Sequence, residues 1–171
     1  AITLGWFDPW SMPGGVDPTG YVKGWAAQRA LGVLVGLGAQ GAIVNAAGDV
    51  AVSGRPGDSS AFQVGIVNPF DTKRLACVAK VRSSIATSGD YERGAHLFDP
   101  FSGVHRARLA SATVCGDDLG LADALATALV VGGEEVLRTV EQLDGYEAFA
   151  VRRDRSWTAT NNFPMATPVT L

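Results

Sequence analysis

Residues 41–90, GAIVNAAGDVAVSGRPGDSSAFQVGIVNPFDTKRLACVAKVRSSIATSGD, decide the fold. Short β-branched runs (GAIVN, VAVSG, FQVGIV, LACVAKV, SSIATS) alternate with turn-forming stretches such as AAGD at 46–49, RPGDSS at 55–60 and NPFD at 68–71. Runs of that length bounded by Gly, Pro, Asn and Asp predict antiparallel strands joined by tight turns. Upstream, a turn-rich opening gives way to residues 21–37, where Val22, Trp25, Ala26, Leu31, Leu34 and Leu37 recur at helical spacing. Downstream, residues 88–103 read as a loop and RLASATVC at 108–115 as a strand. LGLADALATALVV (119–131) and EEVLRTVEQL (134–143) read as helices separated at Gly132-Gly133, and YEAFAVRR and SWTAT as closing strands. Strands gathered between helices, without regular βαβ alternation, predict an α+β domain with helices packed on a largely antiparallel sheet. There is no internal repeat and no linker, so residues 1–171 read as a single domain.

Composition sets limits on the partners. With 171 residues, 47% of them hydrophobic, the chain can bury a core without metals or disulfides. A net charge of −3 without a basic stripe argues against nucleic acid. Cys77 and Cys115 lie in apolar strand-like runs, too far apart in sequence for a zinc motif, and read as core residues. The charge-free run between Arg29 and Asp49 contains Gln40, Asn45 and several glycines, which excludes a membrane span. No signal peptide opens the chain, and Ala1-Ile2 is not a natural start, which leaves room for a leader, a lipid anchor or an N-terminal segment. The compartments compatible with this sequence are the cytoplasm and, through an anchor, the bacterial cell envelope.

Four segments carry candidate chemistry. Gly36, Gly38 and Gly41 spell G-x-G-x-x-G, but the order is helix then strand, the reverse of a dinucleotide fingerprint, and a helix-to-strand turn is expected. In DPTGYVKGW (17–25), Lys23 falls in the first turn of a helix, where backbone N–H groups favour anions, so a phosphate site competes with an ordinary surface lysine. Asp123 is the one charge in the helix 119–131, with Thr127 a turn later. A buried unpaired carboxylate is costly, so Asp123 needs a cation: a hard divalent ion with Thr127 as second oxygen donor, or an arginine, unless it faces solvent. The loop at 87–103 gathers hydroxyls, Asp90, His96 and Asp99; His96 and Asp99 read as an acid/base pair, as a metal set with His105, or as structural groups. A Ser88-His96-Asp99 triad is weaker because no strained nucleophile elbow surrounds Ser88.

In order along the chain, DPTGYVKGWA, VNAAGDV, IATSGDYER, HLFDPFSG and ADALATAL resemble the ApbE family of FAD:protein FMN transferases, formerly called thiamine biosynthesis lipoproteins. The resemblance runs from Phe7-Asp8-Pro9 to the last strands and matches the later part of the family, whose N-terminal segment has no counterpart here and would be a separate chain or piece. It implies a T-fold-like domain that uses FAD with Mg²⁺ to transfer FMN to a threonine or serine hydroxyl of an acceptor flavoprotein, releasing AMP. Some relatives instead hydrolyse FAD to FMN and AMP, and a non-catalytic flavin-binding fragment is a third alternative. By matching motifs the resemblance implies Asp123, Thr127 and a main-chain carbonyl near Val22 as metal ligands. It puts Lys23 and the surrounding turn with Gly20 at the pyrophosphate, Asp49 among the cofactor-binding residues, Thr87, Ser88, Gly89 and Asp90 along the nucleotide, and His96 and Asp99 at the reacting centre. Two departures stand out: Ala47 where the family has a second glycine, which puts Asp49's contact in doubt, and Gln28 where an acidic residue is common.

Overall fold

The computed structural model describes residues 2–91 and 97–171. Its elements are α1 (Thr19–Gly36), β1 (Gly41–Ala46), β2 (Asp49–Gly54), β3 (Phe62–Asn68), β4 (Asp71–Val81), β5 (Ser84–Gly89), β6 (Phe98–Asp99), β7 (Val104–His105), β8 (Ser111–Gly116), α2 (Leu119–Gly132), α3 (Glu134–Val140), β9 (Glu147–Val151) and β10 (Trp157–Ala159). Six strands form one sheet in the order β1-β2-β5-β8-β9-β10, every pairing antiparallel. β3–β4 and β6–β7 are separate hairpins. The α+β class expected from the sequence is the one observed, and the glycines at 36, 38 and 41 form a turn from α1 into β1, with Gly38 at φ 93°.

Strand alternation divides the core into two layers. Ala51, Ala86, Ala112, Val114, Ala148 and Ala150 face the helices and meet Leu31, Leu119, Leu125 and Leu129. Val50, Val52, Ile85, Cys115, Phe149 and Val151 face the other way, onto Ile66, Cys77, Ala79 and Val81 of β3–β4 and Phe163 of the C-terminal segment. Both cysteines are free and buried in that second layer, and burial pushes both thiols up, that of Cys77 to about 11. They are core residues.

The small side chains on the inner face let α2 settle onto the sheet, and α2 is buried along nearly its whole length. The Asp118 carboxylate caps it by accepting the Leu121 N–H at 2.8 Å. α1 crosses α2 at Gly24, where a Cβ would lie 2.5 Å from the Leu119 carbonyl oxygen, so only glycine allows this approach. Gln28, one turn on, donates to the Asp117 carbonyl at 2.9 Å and accepts the Leu119 N–H. Its amide does two things a carboxylate could not do together, which gives the departure at this position a structural use. Among the described residues no helix is long and apolar enough to cross a membrane.

The β1–β2 connection is a two-residue hairpin, Ala47-Gly48, closing on the Ala46↔Asp49 pair. Both residues have positive φ, 51° and 102°, and the Gly48 N–H donates to Asn45 Oδ1 at 2.9 Å. Positive φ at both central positions is the geometry strands of right-handed twist require, and it favours Asn or Gly. Ala47 therefore holds a conformation costing about 1 kcal/mol, and the turn still forms with Asp49 in register. Replacing Ala47 by Asn should raise stability by about 0.5–1 kcal/mol, read as a shift in the denaturation midpoint at constant slope.

Candidate functional site

α1, β5, α2 and the β6–β7 hairpin meet around a cavity of about 270 Å³. Lys23, Gly20 and Thr19 reach it from the start of α1, Thr87 and Ser88 from β5, and Asp123 and Thr127 from α2. Leu97, Phe98 and Pro100 form one wall; Trp6, Phe7, Asp8 and Met12 of the opening segment form another. The start of α1 suits the position. Asp17 Oδ1 accepts the Thr19 N–H at 3.0 Å, Gly20 leaves helical geometry (φ −80°, ψ 17°), and a Cβ there would lie 3.0 Å from Thr127 Oγ1 and 2.9 Å from the Phe7 ring.

The electrostatic centre is a trio. Lys23 Nζ lies 2.7 Å from Asp49 Oδ2, and the Asp49 side chain is fully buried. Asp123 is 2% exposed, and as a carboxylate its Oδ2 finds no protein donor among the described residues; when Asp123 holds a proton, that proton bonds to Asp49, which also takes the Thr87 N–H. Burial and the Asp49 charge push the Asp123 carboxyl up to about 8, against the pull of Lys23 and the Gly24 N–H. Burial also raises Asp49, opposed by Lys23. Two carboxylates share one lysine, so the trio carries one negative charge too many whenever both are ionised. Beside it, Ser88 Oγ and Thr127 Oγ1 are hydrogen-bonded at 3.0 Å, and Thr87 Oγ1 is 2.9 Å from Thr113 Oγ1.

Among the described residues no three His, Cys, Asp or Glu side chains cluster as a metal cage. The ligand atoms that do converge, a carboxylate oxygen with no protein donor among the described residues and a threonine hydroxyl one helical turn away, are hard oxygens at the cavity wall. That set fits a hard divalent ion taking its other ligands from water and a substrate phosphate, as Mg²⁺ commonly does.

Of the sequence-derived candidates, Gly20, Lys23, Thr87, Ser88, Asp123 and Thr127 converge on the cavity. Asp49 stands behind it, buried against Lys23. Val22, whose main-chain carbonyl is the expected third ligand, sits beside Lys23 on α1, is 40% exposed and is not among the residues lining the cavity. Gly89 packs under Tyr91, where a Cβ would lie 2.4 Å from the ring. Asp90 is paired with Arg153 at 2.5 Å. Asp99 is buried beneath the wall, and its Oδ1 accepts the N–H groups of Phe101 (2.9 Å) and Ser102 (3.2 Å). Burial opposes its charge, but the Ser102 hydroxyl together with these N–H groups and the Arg108 charge prevails and holds it below the usual carboxylate range. His96 lies outside the described residues. The apolar lining, Trp6, Phe7, Leu97 and Phe98, is marked in the sequence only by the aromatic cluster before Gly20, which the fold brings to Thr127.

The ApbE family model matches residues 11–150. This chain belongs to the ApbE family. Its relatives include an FAD:protein FMN transferase of Rhodobacter capsulatus, 35% identical over 129 residues, covering 70% of this chain and 24% of the relative. Another, from Vibrio cholerae serotype O1, is 29% identical over 158 residues, covering 79% and 47%. Among solved structures, flavin transferase ApbE from Vibrio cholerae superposes with a TM-score of 0.78 at 26% identity, covering 89% of this chain and 53% of that one. The ApbE protein of Thermotoga maritima gives 0.76 at 26% identity, covering 86% and 52%. The chain thus spans about half the length of the ApbE structures it matches and half or less of the curated relatives.

Proposed function

We propose that this chain carries the metal-binding and phosphate-binding half of an FAD:protein FMN transferase, with Mg²⁺ held by Asp123 and Thr127. The observation that carries the reading is the buried Asp123 carboxylate on the cavity wall, whose Oδ2 has no protein donor among the described residues, a turn from Thr127 and within the field of the Lys23–Asp49 pair. In the reaction, a threonine or serine hydroxyl of an acceptor protein attacks the FMN-side phosphorus of FAD. The bond from that phosphorus to the AMP oxygen breaks, and AMP leaves. The cation, when bound, neutralises charge on the pyrophosphate as the leaving group forms.

The residues of this chain supply the rest. Asp123 and Thr127 fix the cation's place on a rigid, buried helix, and Ser88 holds the Thr127 hydroxyl. Lys23 reaches the same space from α1 and favours phosphate oxygens there, while the N–H groups of Thr19, Tyr21 and Val22 are already taken by the Asp17 carboxylate and the Pro18 carbonyl. Phe7, Met12, Leu97 and Phe98 give the cavity its apolar walls, which would keep water away from the reacting bond. His96 is assigned the proton of the attacking hydroxyl on the family resemblance; Asp99 shapes the cavity wall through the Phe101 and Ser102 amides.

The test is incubation with FAD and Mg²⁺, with and without a threonine-containing acceptor peptide, following AMP, FMN and peptide mass. Acceptor-dependent AMP with an FMN-sized mass gain is the expected result. Free FMN without peptide modification would assign a pyrophosphatase instead, and no AMP would leave a flavin-binding fragment.

A pH dependence follows from Asp123. Its folded carboxyl, near 8, keeps a proton that an unfolded one, near 3.8, has lost, so between about 4 and 8 this group makes the cation-free protein less stable as pH rises. A cation must displace that proton. Its affinity should therefore climb about tenfold per pH unit toward 8 and then level off, with proton release measurable by calorimetry in buffers of different ionisation enthalpy. A flat affinity across that range would rule out Asp123 as the ligand.

A further inference from the structure

The β5–β8 connection leaves the sheet at Asp90 and returns at Ala107, and both ends meet on one guanidinium from the adjoining strand's end. Arg153, two residues past β9, contacts Asp90 Oδ2 through Nη2 at 2.5 Å, while its Nε and Nη2 donate to the Ala107 carbonyl at 3.2 and 3.0 Å. Between those ends stands the β6–β7 hairpin, with Phe98 opposite His105 and Asp99 opposite Val104. The hairpin is closed by the Arg106 N–H to the Leu97 carbonyl at 2.9 Å. Its Leu97, Phe98 and Pro100 are the cavity wall. A second arginine, Arg108, fixes the other side: its Nη1 donates to the Gly132 carbonyl at 3.1 Å and its guanidinium lies 4.4 Å over the Trp6 ring. The wall therefore has an inner anchor on α2 and an outer anchor on the segment just past β9.

We propose that Arg153 is a positioning residue of the site: it pins the root of the β6–β7 hairpin and so sets where Leu97, Phe98 and Pro100 stand against a bound flavin nucleotide. Arginine is suited to this because its planar fork spans a carboxylate and a carbonyl at once; a lysine offers one point charge. The exposed pair contributes little to global stability, so its loss should act locally. The ligand half of this inference rests on the flavin reading above, and the anchoring half does not.

Two measurements on Arg153→Ala and Arg153→Lys test it. Hydrogen exchange should show the Phe101, Ser102 and Arg106 amides exchanging about tenfold faster in Arg153→Ala, with the thermal midpoint within about 2 °C of the parent and Arg153→Lys between the two. FAD titration with Mg²⁺, followed by flavin fluorescence, should show a dissociation constant raised about tenfold in Arg153→Ala and about threefold in Arg153→Lys. Unchanged amide exchange in Arg153→Ala overturns the anchor. Faster exchange with unchanged FAD affinity overturns the positioning role. If the parent itself does not bind FAD, the flavin reading fails, and the exchange result still decides the anchor.

Discussion

Asp123→Asn should abolish divalent-cation binding and lower AMP release from FAD by about a hundredfold or more, while the thermal midpoint in cation-free buffer at pH 8 holds or rises. The first effect follows from removing a buried carboxylate oxygen at the cavity wall that, among the described residues, has no protein donor. The second follows from removing a carboxyl that burial and Asp49 already disfavour as an anion. Sites that hold a charge without its partner are destabilising by construction, and relieving them commonly separates stability from function. The measurements are Mn²⁺ binding by electron paramagnetic resonance, AMP by chromatography, and thermal denaturation with and without Mg²⁺. Retained turnover in this variant would dismiss Asp123 as the metal ligand. A lowered midpoint would show that its charge is compensated within the protein.

Lys23→Met should destabilise the fold by about 3 kcal/mol, the largest stability loss expected from any substitution at the site's rim. Lys23 is three-quarters buried and Asp49 entirely so, which leaves Asp49 facing Asp123 with no cation if the lysine goes. A carboxylate in that position takes up a proton at most pH values of interest, which caps the loss below the full cost of a buried charge. The double variant Lys23→Met, Asp49→Leu should recover most of the stability, because a buried ion pair replaced by apolar groups of similar size is often neutral. It should not recover activity, since the field at Asp123 has changed. Chemical denaturation of the two single variants and the double variant gives the coupling energy directly; a coupling below about 1 kcal/mol would mean the pair is not held as described.

The elements were largely legible in the sequence because periodicity encodes burial. The alternation in residues 50–52, 85–86 and 148–151 places alanines on one face and larger side chains on the other, and the structure uses both faces. Asp123 was legible as a charge that needed explaining, since it stands alone in an apolar helix. Its environment was not legible. Nothing local says that β2 brings Asp49 against Lys23, because that contact depends on sheet order and on where α1 crosses α2. Asp90 and Asp99 illustrate the opposite difficulty: both lie in a segment rich in catalytic residue types, yet Asp90 pairs with Arg153 and Asp99 with the amides of its own turn. A carboxylate's sequence neighbours suggest its chemistry, whereas the backbone around it determines whether its lone pairs are available. Ala47 shows a third case: the sequence marks it as a departure, and only the φ angle of 51° shows that the turn accommodates it as strain.

The alanine face of the sheet has a consequence for how this protein can change. Ala51, Ala86, Ala112, Ala148 and Ala150 leave no slack beneath the helices, and Gly24 leaves none between α1 and α2. Any added volume on that side has to be taken up by moving a helix, and the helices carry Lys23, Asp123 and Thr127. The opposite layer, where β3–β4 and the C-terminal segment rest on larger residues, can be repacked without displacing those groups. Sequence drift and protein engineering therefore have unequal freedom on the two sides: variation should accumulate in the outer layer, and an attempt to alter nucleotide preference by enlarging inner alanines should lose turnover before it changes selectivity.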